Sequence, residues 1–306
     1  MKNNSKSINL SKTAIFLIVV TAVLAVVGIA EIIVKLSDNR QTVEASHVKV
    51  TEDNKVKDTE EGSAESEENK KSSNTKNESA SYIEKYIEQQ VKAEMPEGAD
   101  GKKVVYLTFD DGPSTTVTPR ILDTLEKEGV DATFFVVGKY VDSEKELVKR
   151  EAAEGNVVAI HSYTHDYGYL YPGGKINVQN CMSDFEKTEE SIKNILGQDY
   201  KIRALRLPGG YYSWNKNDPD NAKAVIDKMH EKDWHQIEWN CLSGDAEGNS
   251  AKTAEQLYQE TVQTVGTREK AVILMHDTYQ KEATAEALPG IIQYLKQQGY
   301  EFKTIQ

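Results

Sequence analysis

Residues 104–114 read Val-Val-Tyr-Leu-Thr-Phe-Asp-Asp-Gly-Pro-Ser. A charge-free run rich in β-branched and aromatic side chains stops abruptly at two aspartates and Gly-Pro, the pattern of a buried strand ending in a turn. The same event recurs along the chain. Apolar runs at 132–137, 157–160, 202–207, 235–242 and 271–275 alternate with helical patterns at 118–128, 144–154, 180–196, 222–232, 254–265 and 285–298. Buried strands separated by helices predict an α/β fold with a parallel sheet, either a barrel or a doubly wound sheet.

In such folds the loops after the strands converge at one face, and chemistry collects there. The residues following the apolar runs are Asp110-Asp111-Gly112-Pro113-Ser114, His161 through His165, Arg206-Leu207-Pro208-Gly209-Gly210, Ser243-Gly244-Asp245 and His276-Asp277. Each segment alone has an ordinary explanation, since Asp-Asp-Gly-Pro suits any turn. Their joint placement, one per strand end, points to an active site. His161 and His165, four apart, are expected on one face of a helical turn. With one aspartate they make a two-His, one-carboxylate set, suited to a catalytic zinc-type ion or a non-haem iron. The other aspartate is left to accept a proton, Arg206 to hold it ionised, and His276 to protonate a leaving group. Those parts compose a metal-assisted hydrolase.

The rest of the chain sets the context. Residues 13–30 carry no charge and follow Lys2, Lys6 and Lys12; Gly28-x-Ala30 leaves a signal-peptidase site open, but the run is longer than the usual signal core, so 1–36 is expected to be a cytoplasmic tip and a retained transmembrane anchor, with everything beyond it extracellular. Residues 37–80 are polar and lack aromatics, Leu and Ile between 38 and 80, and are expected to be a disordered linker. Residues 81–100 hold a short amphipathic helix, with Tyr82, Ile83, Tyr86, Ile87 and Val91 at helical spacing, and a lead-in to a domain at 101–306. The formal net charge of −12 argues against a nucleic-acid partner. Cys181 and Cys241 are too few for a disulfide framework and leave one bridge or two free thiols open.

Residues 101–306 resemble the polysaccharide deacetylases of carbohydrate esterase family 4, the NodB-homology domain. The resemblance is carried by Thr108-Phe109-Asp110-Asp111-Gly112-Pro113-Ser114, His161-Ser162-x-x-His165, Arg206-x-Pro208 and Leu274-x-His276, in the family's order. It implies a distorted (β/α)7 barrel, with Asp110 as general base and Asp111, His161 and His165 holding one divalent ion, usually zinc. It further implies that Arg206 orients Asp110, that His276 is the general acid, and that Asp245 tunes Arg206 or His276. Pro208, Gly209, Gly210, Tyr211, Trp239 and Leu274 would line the sugar site. The implied reaction is hydrolysis of the acetamido group of an N-acetylated hexosamine in an extracellular polymer, with peptidoglycan N-acetylglucosamine preferred over N-acetylmuramic acid, chitin-like oligomers or exopolysaccharide.

Two departures bear on the pocket. Gly209 stands where many members carry an aromatic residue, and Asn240 and Ala246 replace frequent residues of the segment Trp239–Ala246. Tyr163, Tyr167, Tyr169, Tyr171, Tyr211, Tyr212 and Trp214 are candidates to supply the missing ring. Two readings compete with the enzyme. Loss of Asp110 or His276 would argue for an inactive glycan-binding wall protein, and both are present; an iron oxygenase would need neither the second aspartate nor the acid histidine.

Overall fold

Side-chain alternation along the strands decides how this protein is assembled. The computed structural model describes residues 76–248 and 250–306, all within one compact unit spanning 69–306. The expected anchor and the linker as far as residue 75 lie outside the described residues. Among those described, no helix is long and apolar enough to cross a membrane.

The strands are β1 (Lys76–Glu78), β2 (Val104–Asp110), β3 (Thr133–Val137), β4 (Val157–Ser162), β5 (Ala204–Leu205), β6 (His235–Gln236), β7 (Cys241–Leu242), β8 (Lys270–His276) and β9 (Glu301–Ile305). The helices are α1 (Ala80–Val91), α2 (Thr118–Glu128), α3 (Gly138–Ser143), α4 (Lys145–Ala153), α5 (Tyr167–Leu170), α6 (Val178–Leu196), α7 (Tyr211–Asn215), α8 (Pro219–His230), α9 (Ala254–Val265) and α10 (Glu282–Gln297). Every strand pairing is parallel, as the alternation of elements requires. The order runs β7-β8-β2-β3-β4-β5-β6, with β9 joining the start of β2 and β1 outside β9. The sheet curls into a half-barrel that is open between β6 and β7.

Period-two alternation sends Val105, Leu107, Phe109, Val158, Ile160 and Ile273 to one face, where they pack under the crossover helices in the larger core. The opposite, concave face carries Val104, Tyr106, Phe135, Ala159, Ala204 and Val272, and α1 closes over it with Ile83, Tyr86 and Ile87. The N-terminal helix is therefore a plug in the sheet's lumen. Continuing the same parity up the strands places Thr108 and Asp110, His161, Arg206 and His276 on the concave face as well.

Several expectations need correction. Residues 76–80 belong to the fold, because β1 pairs in register with Lys303, Thr304 and Ile305. Its residues Lys-Asn-Glu offer no apolar signal; main-chain pairing, and the Thr304 hydroxyl donating to Asn77 Oδ1 at 2.6 Å, hold it. The run 235–242 is not one strand. Arg206 Nε donates to the Ile237 carbonyl at 2.8 Å, and Val272 N–H donates to the Asn240 side chain at 2.9 Å. Side chains thus take up ladder positions, and the chain breaks into β6 and β7. The run 202–207 contracts to two residues, and β9 was not anticipated. Cys181 and Cys241 are both buried and free.

Candidate active site

The metal-competent trio comes from the ends of β2 and β4. His161 Nε2 and His165 Nε2 stand 3.2 Å and 3.1 Å from Asp111 Oδ1, and the three ligand atoms lie within 4.8 Å of one another. The convergence does not arise from a helical turn. His161 is still in β4, whereas His165 follows in a loop at φ 51°, and Asp111 sits at φ 72°. Left-handed backbone costs an L-residue roughly 1–2 kcal/mol, which the surrounding contacts must offset. Asp184 on α6, a residue the sequence reading passed over, supplies much of that support. Its carboxylate accepts from the Ser162 hydroxyl, from Tyr163 N–H at 2.6 Å and from Thr164 N–H at 3.2 Å, while the Ser162 hydroxyl receives His165 N–H at 2.9 Å.

The donor set fits a cation. His161 Nδ1 lies 2.7 Å from the Arg206 carbonyl, which can only accept, so this nitrogen carries the proton and Nε2 turns its lone pair to the cluster. Asp111 Oδ1 is buried and, despite the two nearby nitrogens, has no hydrogen bond of acceptable geometry. Burial favours protonation of Asp111, but its contacts with His161 and His165 outweigh this and hold it well below the ordinary carboxylate value.

Beside the trio, Asp110 receives Arg206 Nη1 at 2.7 Å, and the same nitrogen reaches Thr108 Oγ1 at 2.9 Å. The guanidinium rests 4.2 Å over the Phe135 ring and 5.5 Å from that of Trp239. An arginine with no solvent exposure is tolerable only with such a set of partners. On the other flank, His276 Nε2 is 4.0 Å from Asp111 Oδ2, and Nδ1 is 2.8 Å from Asp245 Oδ1. Asp245 also receives His276 N–H and the Thr284 hydroxyl, each at 2.8 Å. It therefore bonds to His276 and not to Arg206. Burial would lower the His276 pKa, but Asp245, with the charges of Asp110 and Asp111, raises it to about 9. Behind His276, Asp277 accepts from Thr118 Oγ1 at 2.6 Å, and burial together with the charges of Asp111 and Asp110 lifts its pKa to about 7.

The expected sugar-contacting residues divide. Leu274 continues the concave face opposite Thr108 in register. The Pro208 carbonyl accepts from Tyr171 Oη at 3.0 Å and Trp214 Nε1 at 2.8 Å. At Gly209, with φ +79°, an added Cβ would meet Tyr167 Oη at 2.9 Å and Trp214 Nε1 at 3.3 Å. Tyr167 and Trp214 thus close against the glycine and leave no room for a side chain there. They continue a run from His165 through Tyr167 (5.5 Å between centroids) to Tyr171 and Trp214, which stack at 3.9 Å. Gly210 packs against Trp239, leaving no room for a Cβ. Tyr211 turns away: its N–H donates to Glu238 at 2.6 Å, and with Tyr212 it lines a groove of about 400 Å3 against α1. Tyr163 is committed elsewhere, bonding Asp142 at 2.9 Å beneath the Lys187 ammonium.

Comparison with known proteins identifies the family. Residues 97–225 match the polysaccharide deacetylase family. A peptidoglycan-N-acetylglucosamine deacetylase of Bacillus cereus is 34% identical over 223 residues, covering 70% of this chain and 76% of that protein. The chain belongs to the polysaccharide deacetylase family. A peptidoglycan-N-acetylglucosamine deacetylase of Listeria monocytogenes is 34% identical over 228 residues, 74% of this chain but 43% of that longer protein. The structure of a Streptococcus mutans carbohydrate esterase family 4 esterase superposes with a TM-score of 0.67 at 32% identity, covering 76% of this chain and 92% of that one. This polysaccharide deacetylase is therefore an enzyme of carbohydrate esterase family 4, with a curled parallel sheet consistent with the family's α/β barrel.

Proposed function

We propose that the enzyme removes the acetyl group from N-acetylglucosamine of peptidoglycan, using one divalent ion, preferably Zn2+, held by Asp111, His161 and His165. The observation that carries the reading is the placement of Asp110 and His276 around that trio, each held by a buried partner, Arg206 and Asp245. When bound, the ion supplies Lewis-acid polarisation of the acetamido carbonyl and lowers the pKa of water. Asp110, held by Arg206, takes the proton from the attacking water. Asp245 raises the His276 pKa and so favours its protonated form, and His276 gives its proton to the sugar nitrogen as the C–N bond breaks. The products are acetate and a free amino sugar, and both residues return to their starting states when His276 regains the proton that Asp110 received. Tyr167, with its ring 5.5 Å from that of His165, presents exposed ring surface beside the trio, as a sugar face requires.

Peptidoglycan as the polymer is supported by the Bacillus cereus and Listeria relatives, both of which are peptidoglycan-N-acetylglucosamine deacetylases by name. A membrane-anchored, extracellular location is supported by the uncharged run 13–30 behind three lysines. The test is to incubate the purified protein, with and without Zn2+, against peptidoglycan, chitin oligomers and N-acetylmuramic acid glycans while measuring acetate and product mass. Metal-dependent acetate release, with the mass change on glucosamine of peptidoglycan, is expected. No acetate from any polymer would overturn the reading, and loss confined to muramic acid would move it to the other sugar.

A further inference from the structure

Among the described residues, only one other set of three metal-competent groups converges: Glu84, His230 and His235. It brings together three elements, the plug helix α1, the C-terminal turn of α8 and the first residue of β6. Glu84 Oε2 lies 2.9 Å from His230 Nε2 and 2.8 Å from His235 Nδ1. The carboxylate is aimed by Gln236 N–H, which donates to Oε1 at 2.9 Å. The remaining ring nitrogen of His235 faces Asp233 Oδ1 at 3.5 Å, so a carboxylate stands behind the histidine as well as in front of it. That arrangement matches the outer shell of metal-ligating imidazoles, where a second carboxylate fixes the tautomer and raises ligand basicity.

We propose that Glu84, His230 and His235 form a second site for a divalent transition ion such as Zn2+, distinct from the deacetylase centre, that fastens α1 to the sheet. Two imidazoles and one carboxylate are a borderline donor set, suited to Zn2+ and its neighbours rather than to Mg2+ or Ca2+. Access is open, since the His230 side chain is 44% exposed. The spacing sets this trio apart from the catalytic one. Its N···O separations of 2.8–3.0 Å are those of hydrogen bonds, against 3.1–3.2 Å at Asp111. Metal entry must therefore displace the two bridging protons and widen the cluster by a few tenths of an ångström, so this site binds more weakly than the catalytic trio and loses affinity as pH falls. The consequence is mechanical. Glu84 lies one residue from Ile83, whose side chain is wholly buried in the lumen, so occupancy tightens the docking of the plug below the catalytic residues.

The experiment measures Zn2+ by equilibrium dialysis and elemental analysis on the full chain. Wild type is expected to hold about two ions, the second more weakly, and His161→Ala and His235→Ala about one each. In the His161→Ala background, Zn2+ is expected to raise the thermal midpoint, and adding the near-isosteric Glu84→Gln to abolish that rise. Glu84→Gln preserves shape and keeps one oxygen to accept from Gln236 N–H, and its thermal midpoint without Zn2+ is measured beside the parent's, so a folding defect is read separately from lost metal binding. Equal stoichiometry in wild type and His235→Ala, or a Zn2+-induced rise that survives Glu84→Gln, overturns the proposal and leaves a hydrogen-bonded clasp. Neither readout depends on deacetylation, so the proposal and the functional reading fail separately.

Discussion

Arg206 ties the two halves of the active site together: its Nη1 donates to Asp110 at 2.7 Å, while its own carbonyl receives the His161 Nδ1 proton at 2.7 Å. One residue thus orients both the proton acceptor and a metal ligand, from a position with no solvent exposure. Replacing Arg206 with Met leaves Asp110 as an uncompensated buried charge. Such a change costs about 3–5 kcal/mol, to be read from urea unfolding, and deacetylation should fall with it.

Asp110→Asn keeps shape and the Arg206 contact but removes the proton acceptor. The turnover number should drop by about 10²–10⁴, the usual contribution of a positioned base, while dialysis shows metal content unchanged. Equal turnover in the variant would remove Asp110 as the base.

His276 and Asp245 form a pair whose pH dependence has a defined sign. In the metal-free protein the His276 pKa, raised by Asp245 to about 9 from an ordinary 6.5, should appear in an NMR titration. Because the folded value is the higher one, the contribution of His276 to stability is complete below pH 6.5 and is lost as pH rises through about 9. Asp245 has the opposite sign: its pKa is lowered from 3.8, burial being outweighed by His276, so its contribution is present above that value and lost as pH falls through the lowered one. Asp245→Asn should move the His276 titration toward neutrality and shift the alkaline limb of the rate profile in the same direction.

Tyr167 stands where Gly209 lacks a ring. Tyr167→Ala should raise KM for N-acetylated oligosaccharides roughly 2- to 10-fold, the equivalent of an aromatic contact worth about 0.5–1.5 kcal/mol, with little change in turnover. A fall in turnover at constant KM would instead place the ring in orienting His165.

Ile83 is remote from the chemistry yet fully buried against the concave face. Ile83→Ala should destabilise the protein by about 2–5 kcal/mol, measured by denaturant unfolding, with the rate on small substrates largely preserved below the transition.

The chain itself determined the parallel α/β architecture, through apolar runs of strand length alternating with helical periodicity, and the roster of chemical groups, through the motifs after those runs. Helix bounds at Thr118–Glu128 and Ala254–Val265 were legible because periodicity and flanking Gly or Thr agree there. Only the tertiary structure decided that β1 exists, that the run 235–242 breaks, that Asp245 bonds His276, and that Tyr167 and Trp214 fill the space at Gly209. The first three depend on partners far away in sequence: Thr304 for Asn77, Arg206 for the Ile237 carbonyl, His276 and Thr284 for Asp245; the last depends on the distant Tyr167 together with the nearby Trp214. Local pattern reports which side chains must be buried, whereas the choice among distant hydrogen-bonding partners is settled only when the sheet curls and brings them within reach.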